Sequence, residues 1–128
     1  MTTIGACRNC HTPRESGGKI VPGNELSGGF KFTDPDIGPI DPPNITPDIA
    51  TGIGEWTNAQ FVEALRNGKR PDGKLLGPPM PMPVPAYREL SDNDAAVIAT
   101  YLLTLKPINH AVPRTVYTIP LPPDHGLP

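Results

Sequence analysis

Proline limits this chain more than any other residue. Of 128 positions, 19 are Pro and 13 are Gly. A proline fixes φ and removes a backbone donor, so neither a helix interior nor a central strand passes through one undisturbed. Two stretches are densest in it, from Asp34 to Asp48 and from Pro78 to Pro85, and the tail from Lys106 to Pro128 is a third. The first two read as ordered, extended loop rather than strand, because proline cannot donate to a ladder. The tail carries one short β-prone piece, Thr115 to Ile119. Pro and Gly together make a quarter of the chain, yet Leu, Ile, Val and Phe supply 29 residues and the net charge is only −2. That balance opposes wholesale disorder.

The length suits one domain. Aromatics are only 5% of the residues, so the protein's own core is thin. A slightly acidic chain argues against nucleic acid as the main partner. No apolar run approaches the roughly 20 residues needed to cross a bilayer. Met1 to Ala6 lacks the charged and apolar segments of a secretion signal. The expectation is a chain numbered after a removed leader, or a domain of a longer protein.

Helix signals appear where the prolines stop. Thr57 is a good N-cap and Gln60 completes a capping box, with Trp56 and Phe61 placed as a hydrophobic staple. Phe61, Val62 and Leu65 form the expected buried stripe, and Gly68 the stop. A second helix begins at Ser91, with Asp92 and Asp94 suited to its dipole. Val97, Ile98, Tyr101, Leu102 and Leu105 recur at helical spacing until Pro107.

Cys7-Arg8-Asn9-Cys10-His11 contains both cysteines of the chain. Cys-x-x-Cys-His is the signature of c-type haem attachment. On one helical turn, positions i, i+3 and i+4 share a face. Two thiols there can form thioethers with the vinyl groups on one edge of the macrocycle, while the imidazole reaches the iron. A thioredoxin-like dithiol would need flanking strands that this sequence does not supply. A structural zinc site would need two of His11, His110 and His125 beside the thiols. For a second axial ligand the candidates are Met80, Met82, His110 and His125. Met80 is preferred: Pro79 and Pro81 stiffen its loop and lower the entropy lost in fixing a thioether. His110 and His125 lie in the tail, where a solvent-facing position is expected.

Three stretches in order, "IGACRNCHTPRESGG", "PPNITPDIATGIGEWTNAQFVEALRNGKRPDG" and "LGPPMPMPVPAYRELSDNDAAVIATYLLTLKP", resemble the monohaem domains of class I cytochrome c. The similarity is strongest to the cytochrome subunits of periplasmic sugar, alcohol and gluconate dehydrogenases, and it covers roughly residues 4–107. The resemblance implies a mainly α fold: helices and long proline-rich loops around one covalent haem c. It implies a cytochrome c domain over 1–107 and a proline-rich extension, 108–128, packed on it or leading to a linker. It implies thioethers at Cys7 and Cys10, His11 as proximal ligand and Met80 as distal ligand. It further implies that the Pro22 carbonyl accepts from the other His11 nitrogen, that Asn44 and Trp56 lie near the haem edge, and that Tyr101 packs on the first helix. Two features depart from the family pattern: only six residues precede Cys7, and Met82 stands where the family often has an aromatic.

Other signals are weaker. Gly68 to Leu75 nearly spells a phosphate-binding loop, but it follows a helix and has Leu75 where Ser or Thr would hold magnesium. Asn44-Ile45-Thr46 is a glycosylation sequon followed by Pro47, and a tight-loop role suits that Asn better. Arg66, Lys69, Arg70 and Lys74 gather four cations, either as helix-end and turn charges or as a docking patch for an acidic redox partner.

The expected function is one-electron transfer without catalytic residues. The donor would be a periplasmic dehydrogenase and the acceptor another cytochrome or an oxidase, in a periplasmic or otherwise extracytoplasmic setting. The rival is a haem protein whose distal ligand is labile, acting as a peroxidase or gas sensor.

Overall fold

The computed structural model of this chain describes residues 7–80 and 87–121, apart from the Arg88 side chain. Helices supply most of the regular structure: α1 (Cys7–His11), α2 (Asn58–Asn67), a 3₁₀ turn (Tyr87–Glu89) and α3 (Asp92–Leu103). A two-stranded antiparallel sheet, β1 (Phe32–Asp34) and β2 (Gly38–Ile40), stands between the first two helices in sequence. None of these helices is long and apolar enough to cross a membrane.

The caps of α2 form from the residues that announce them. Thr57 accepts from the Gln60 N–H at 3.1 Å, and the Gln60 side chain accepts from the Thr57 N–H at 2.9 Å. Gly68 closes the helix in the left-handed region at φ 72°, its N–H bonded to the Ala64 carbonyl. Only glycine adopts that conformation without strain. Trp56 and Phe61 pack at 6.4 Å between ring centroids. Ser91 caps α3 by accepting from the Asp94 N–H.

The buried face of α3 keeps Ile98 and Leu102 of the expected stripe and is otherwise rotated from it. Ala95, Ile98, Ala99 and Leu102 are buried, at spacing i, i+3, i+4 and i+7, whereas Tyr101 is 38% exposed. Two alanines at the contact let the helices approach closely, an effect that weighing only large side chains overlooks. The helix also ends at Leu103, before Pro107, where the Thr104 hydroxyl donates to the Tyr101 carbonyl. Against this face lie Phe61 and Leu65 of α2, with Leu26, Ile53 and Tyr87 completing the core.

The loop reading of Asp34 to Asp48 needs correction at its front. Asp34 pairs with Gly38 and Phe32 with Ile40, and the Asp34 carboxylate accepts the N–H groups of Asp36 and Ile37 to build the turn. Pro39 is tolerated because each strand of a two-stranded sheet is an edge. Conversely, Thr115 to Ile119 forms no strand. It crosses the molecule held by side chains, with the Asp41 N–H donating to the Thr115 hydroxyl at 2.9 Å and the Tyr117 hydroxyl donating to the Pro78 carbonyl at 2.5 Å.

Candidate functional site

α1 is one helical turn, so Cys7, Cys10 and His11 share a face. Both cysteines are free thiols, half-buried, and Cys7 packs against the core cluster. Burial pushes the Cys7 thiol above its ordinary range, opposed by a backbone hydrogen bond. Burial raises Cys10 as well, and the nearby Arg14 charge works against it. A dithiol oxidoreductase needs the opposite, a thiol pushed down to make thiolate at neutral pH. Both directions run against a thioredoxin-like site.

His11 is 8% exposed, and burial lowers its pKa, so the imidazole is neutral. Its Nδ1 lies 2.8 Å from the Pro43 carbonyl oxygen. A carbonyl only accepts, so Nδ1 carries the proton and Nε2 keeps its lone pair for a metal. The partner is Pro43 and not Pro22, which corrects the expectation from family resemblance. Pro22 is exposed, because the segment before it folds back on itself: Arg14 bridges Ile20, and the Val21 N–H reaches the Pro13 carbonyl. The Pro22 carbonyl instead accepts from the Asn24 amide.

Gly28 brings Pro43 to the histidine. Its N–H donates to the His11 carbonyl at 2.6 Å, and a Cβ placed on it would fall 2.5 Å from the Pro42 oxygen and 2.6 Å from the Pro43 oxygen. Beside it Leu26 holds a positive φ of 66°, its N–H donating to the buried Thr12 hydroxyl and its carbonyl accepting from Ile45. A non-glycine residue is strained there, and these bonds hold it in place.

Asn44 is 3% exposed, and its side chain is engaged by the protein. Its oxygen accepts from the Thr46 N–H and hydroxyl, and its Nδ2 donates to the Ile108 carbonyl at 2.7 Å and the Thr51 hydroxyl at 3.1 Å. It locks the loop after Pro43 to the tail, as a tight-loop asparagine. Trp56 is half-buried, packed on the core beside Phe61. Met80 is half-buried and packs against the same apolar cluster as Cys7. Met82 and His125 lie outside the described residues.

His110 is half-buried, not turned out to solvent as expected. Its Nδ1 meets the Ser27 carbonyl at 2.9 Å, its N–H donates to Thr51, and its ring covers Gly29. Among the described residues, no three His, Cys, Asp or Glu side chains converge, so those residues offer the zinc reading no ligand set. Tyr101 lies on the outer face of α3 with Asn93, Ala96, Val97 and Thr100. In the basic segment, Arg66 pairs with Asp92 and Arg70 with Asp72, which favours the local account of those cations over a docking patch. Sequence reasoning did not find Pro43, Thr12 or Tyr87, the buried phenol raised by burial and by the neighbouring cysteines. A backbone carbonyl leaves no mark in sequence, and a lone Thr or Tyr carries no motif.

Two alkylatable thiols, a neutral imidazole with Nε2 open and a thioether on the same cluster form a donor set that fits a covalent haem. The sequence pattern of the Cytochrome c family matches residues 3–106. The chain is 38% identical over 115 residues to the fructose dehydrogenase cytochrome subunit of Gluconobacter japonicus, covering 89% of this chain and 22% of that protein. It is 37% identical over 109 residues to the cytochrome c subunit of alcohol dehydrogenase (quinone) from Gluconacetobacter polyoxogenes, covering 84% and 21%. To the gluconate 2-dehydrogenase cytochrome c subunit of Pantoea cypripedii it is 35% identical over 103 residues, covering 80% and 21%. The chain thus spans about a fifth of the length of these relatives. With a thiol pair and a buried histidine standing where such proteins fasten haem c, and a match along most of its length, the chain belongs to the cytochrome c family.

Proposed function

We propose that this chain is a one-electron relay, with haem fastened through Cys7 and Cys10 and iron held between His11 and Met80. The haem supplies the interchange of ferric and ferrous iron. The observation that carries the reading is the buried, neutral His11 with Nδ1 bound to the Pro43 carbonyl, since that bond fixes both the tautomer and the ring orientation a proximal ligand needs. Pro43 also makes the imidazole more basic, a stronger σ-donor. Met80 supplies a soft thioether, which favours the ferrous state and raises the potential over that of two imidazoles. The apolar cluster behind Cys7 and Met80 keeps water from the site. Residues 1–107 form the electron-transfer domain, and 108–128 an extension packed on it or leading to a linker, its described stretch being tied to the domain through Ile108, His110, Thr115 and Tyr117.

The relatives named above are cytochrome subunits of dehydrogenases, so the donor proposed here is a dehydrogenase and the acceptor a further cytochrome or an oxidase. The setting proposed with such a donor is periplasmic. Optical spectra of both oxidation states test the ligand assignment. The sulfur-to-iron charge-transfer absorption of the ferric protein is expected to vanish in Met80→Ala and persist in Met82→Ala. Loss in Met82→Ala alone overturns it.

A further inference from the structure

We propose that Tyr117 is a positioning residue for Met80: its hydroxyl, donating to the Pro78 carbonyl, holds the turn from Gly77 to Met80 against the core. The inference rests on Met80 being the distal ligand.

The turn has few backbone donors of its own. Pro78 and Pro79 have no N–H to give, and the bond within the turn runs from the Met80 N–H to the Gly77 carbonyl at 3.2 Å. Tyr117 donates to the Pro78 carbonyl at 2.5 Å from 39 residues away. The ring also lies against the backbone of Gly77, where any Cβ would strike the phenol. A side chain at 77 would require the Tyr117 ring to move.

Tyr117 is itself braced. Two residues before it, Thr115 bonds Asp41, which directly follows β2; one residue after it, Thr118 packs over Gly38 at the start of β2. Upstream, Ile108 and His110 are tied to Asn44, Thr46 and Thr51. One strap thus reaches the loop next to Pro43, which orients His11, and the turn that ends in Met80. Its hold on the first is spread over several bonds. Its hold on the second passes through Tyr117.

The test uses the full-length, haem-loaded ferric protein and the rate at which added imidazole displaces the sulfur ligand, read from loss of the charge-transfer absorption. Tyr117→Phe removes one hydrogen bond and keeps the ring, so the resting spectrum is expected to persist while displacement quickens roughly five- to tenfold. Thr115→Val, which loosens the strap at Asp41 without touching Pro78, is expected to stay within about twofold of the parent. Should Tyr117→Phe not accumulate, Gly77→Ala crowds the ring from the opposite side and is expected to quicken displacement too. A parent-like rate in Tyr117→Phe or Gly77→Ala, with Met80→Ala lacking the absorption, overturns the inference and leaves the ligand reading standing. Equal acceleration in Thr115→Val assigns the effect to the strap at large and overturns the role of Tyr117. Persistence of the absorption in Met80→Ala overturns both readings.

Discussion

Tyr87 carries its phenol at 3% exposure, pushed up to about 12 by burial first and then by the charges available to Cys7 and Cys10. Thioether formation removes the two cysteine contributions, and burial remains. An unfolded tyrosine ionises near 10. The folded state therefore holds its proton more tightly, and this contribution to stability is complete below about pH 10 and is lost progressively as pH rises above it. The slope has an upper limit of ~1.4 kcal/mol per pH unit. Denaturant unfolding of the parent and Tyr87→Phe at several pH values checks this: the parent is expected to lose stability more steeply in that window, and parallel profiles contradict it. At this scale sequence was informative where chemistry is local. Cys7, Cys10 and His11 sit within five residues, so their spacing shows their shared face. The Pro43 carbonyl lies 32 residues from His11, and every residue offers a carbonyl, so only the folded chain singles it out.

Helix caps were legible for the same reason, since Thr57, Gln60 and Gly68 act within a turn or two of themselves. Thr57→Ala is expected to cost about 1 kcal/mol. Gln60→Ala on top of it is expected to add less than it does alone, because the two side chains form one reciprocal box. A double-mutant cycle by urea unfolding measures this, and strict additivity counts against it. The buried face of α3 was misread because contact there is set by small Ala95 and Ala99, not by the larger Val97 and Tyr101. The hairpin from Phe32 to Ile40 was missed because Pro39 suppresses a strand signal, while the turn at Asp34 is made by one carboxylate.

Over the whole molecule, the helices are short for the work they do. α2 and α3 have 10 and 12 residues, lengths at which an isolated helix is marginal in water. Much of the remaining chain is loop, and a small domain with a thin core depends on an added group for stability. A Cys7→Ser, Cys10→Ser chain made without attachment is expected to lose most of its far-ultraviolet helical signal and its cooperative melt. A melt matching that of the mature protein contradicts that dependence. The individual helices were readable from local caps and stops, whereas the fold class came through the three stretches that resemble class I cytochrome c. The path of residues 108–121 was not readable, since it is fixed by hydrogen bonds to sites far away in sequence. That path has a bearing on assembly. Because the bonds of Thr115 and Tyr117 join segments distant in sequence, the tail can dock only once those loops are folded, whereas the face shared by Cys7 and Cys10 needs a single helical turn.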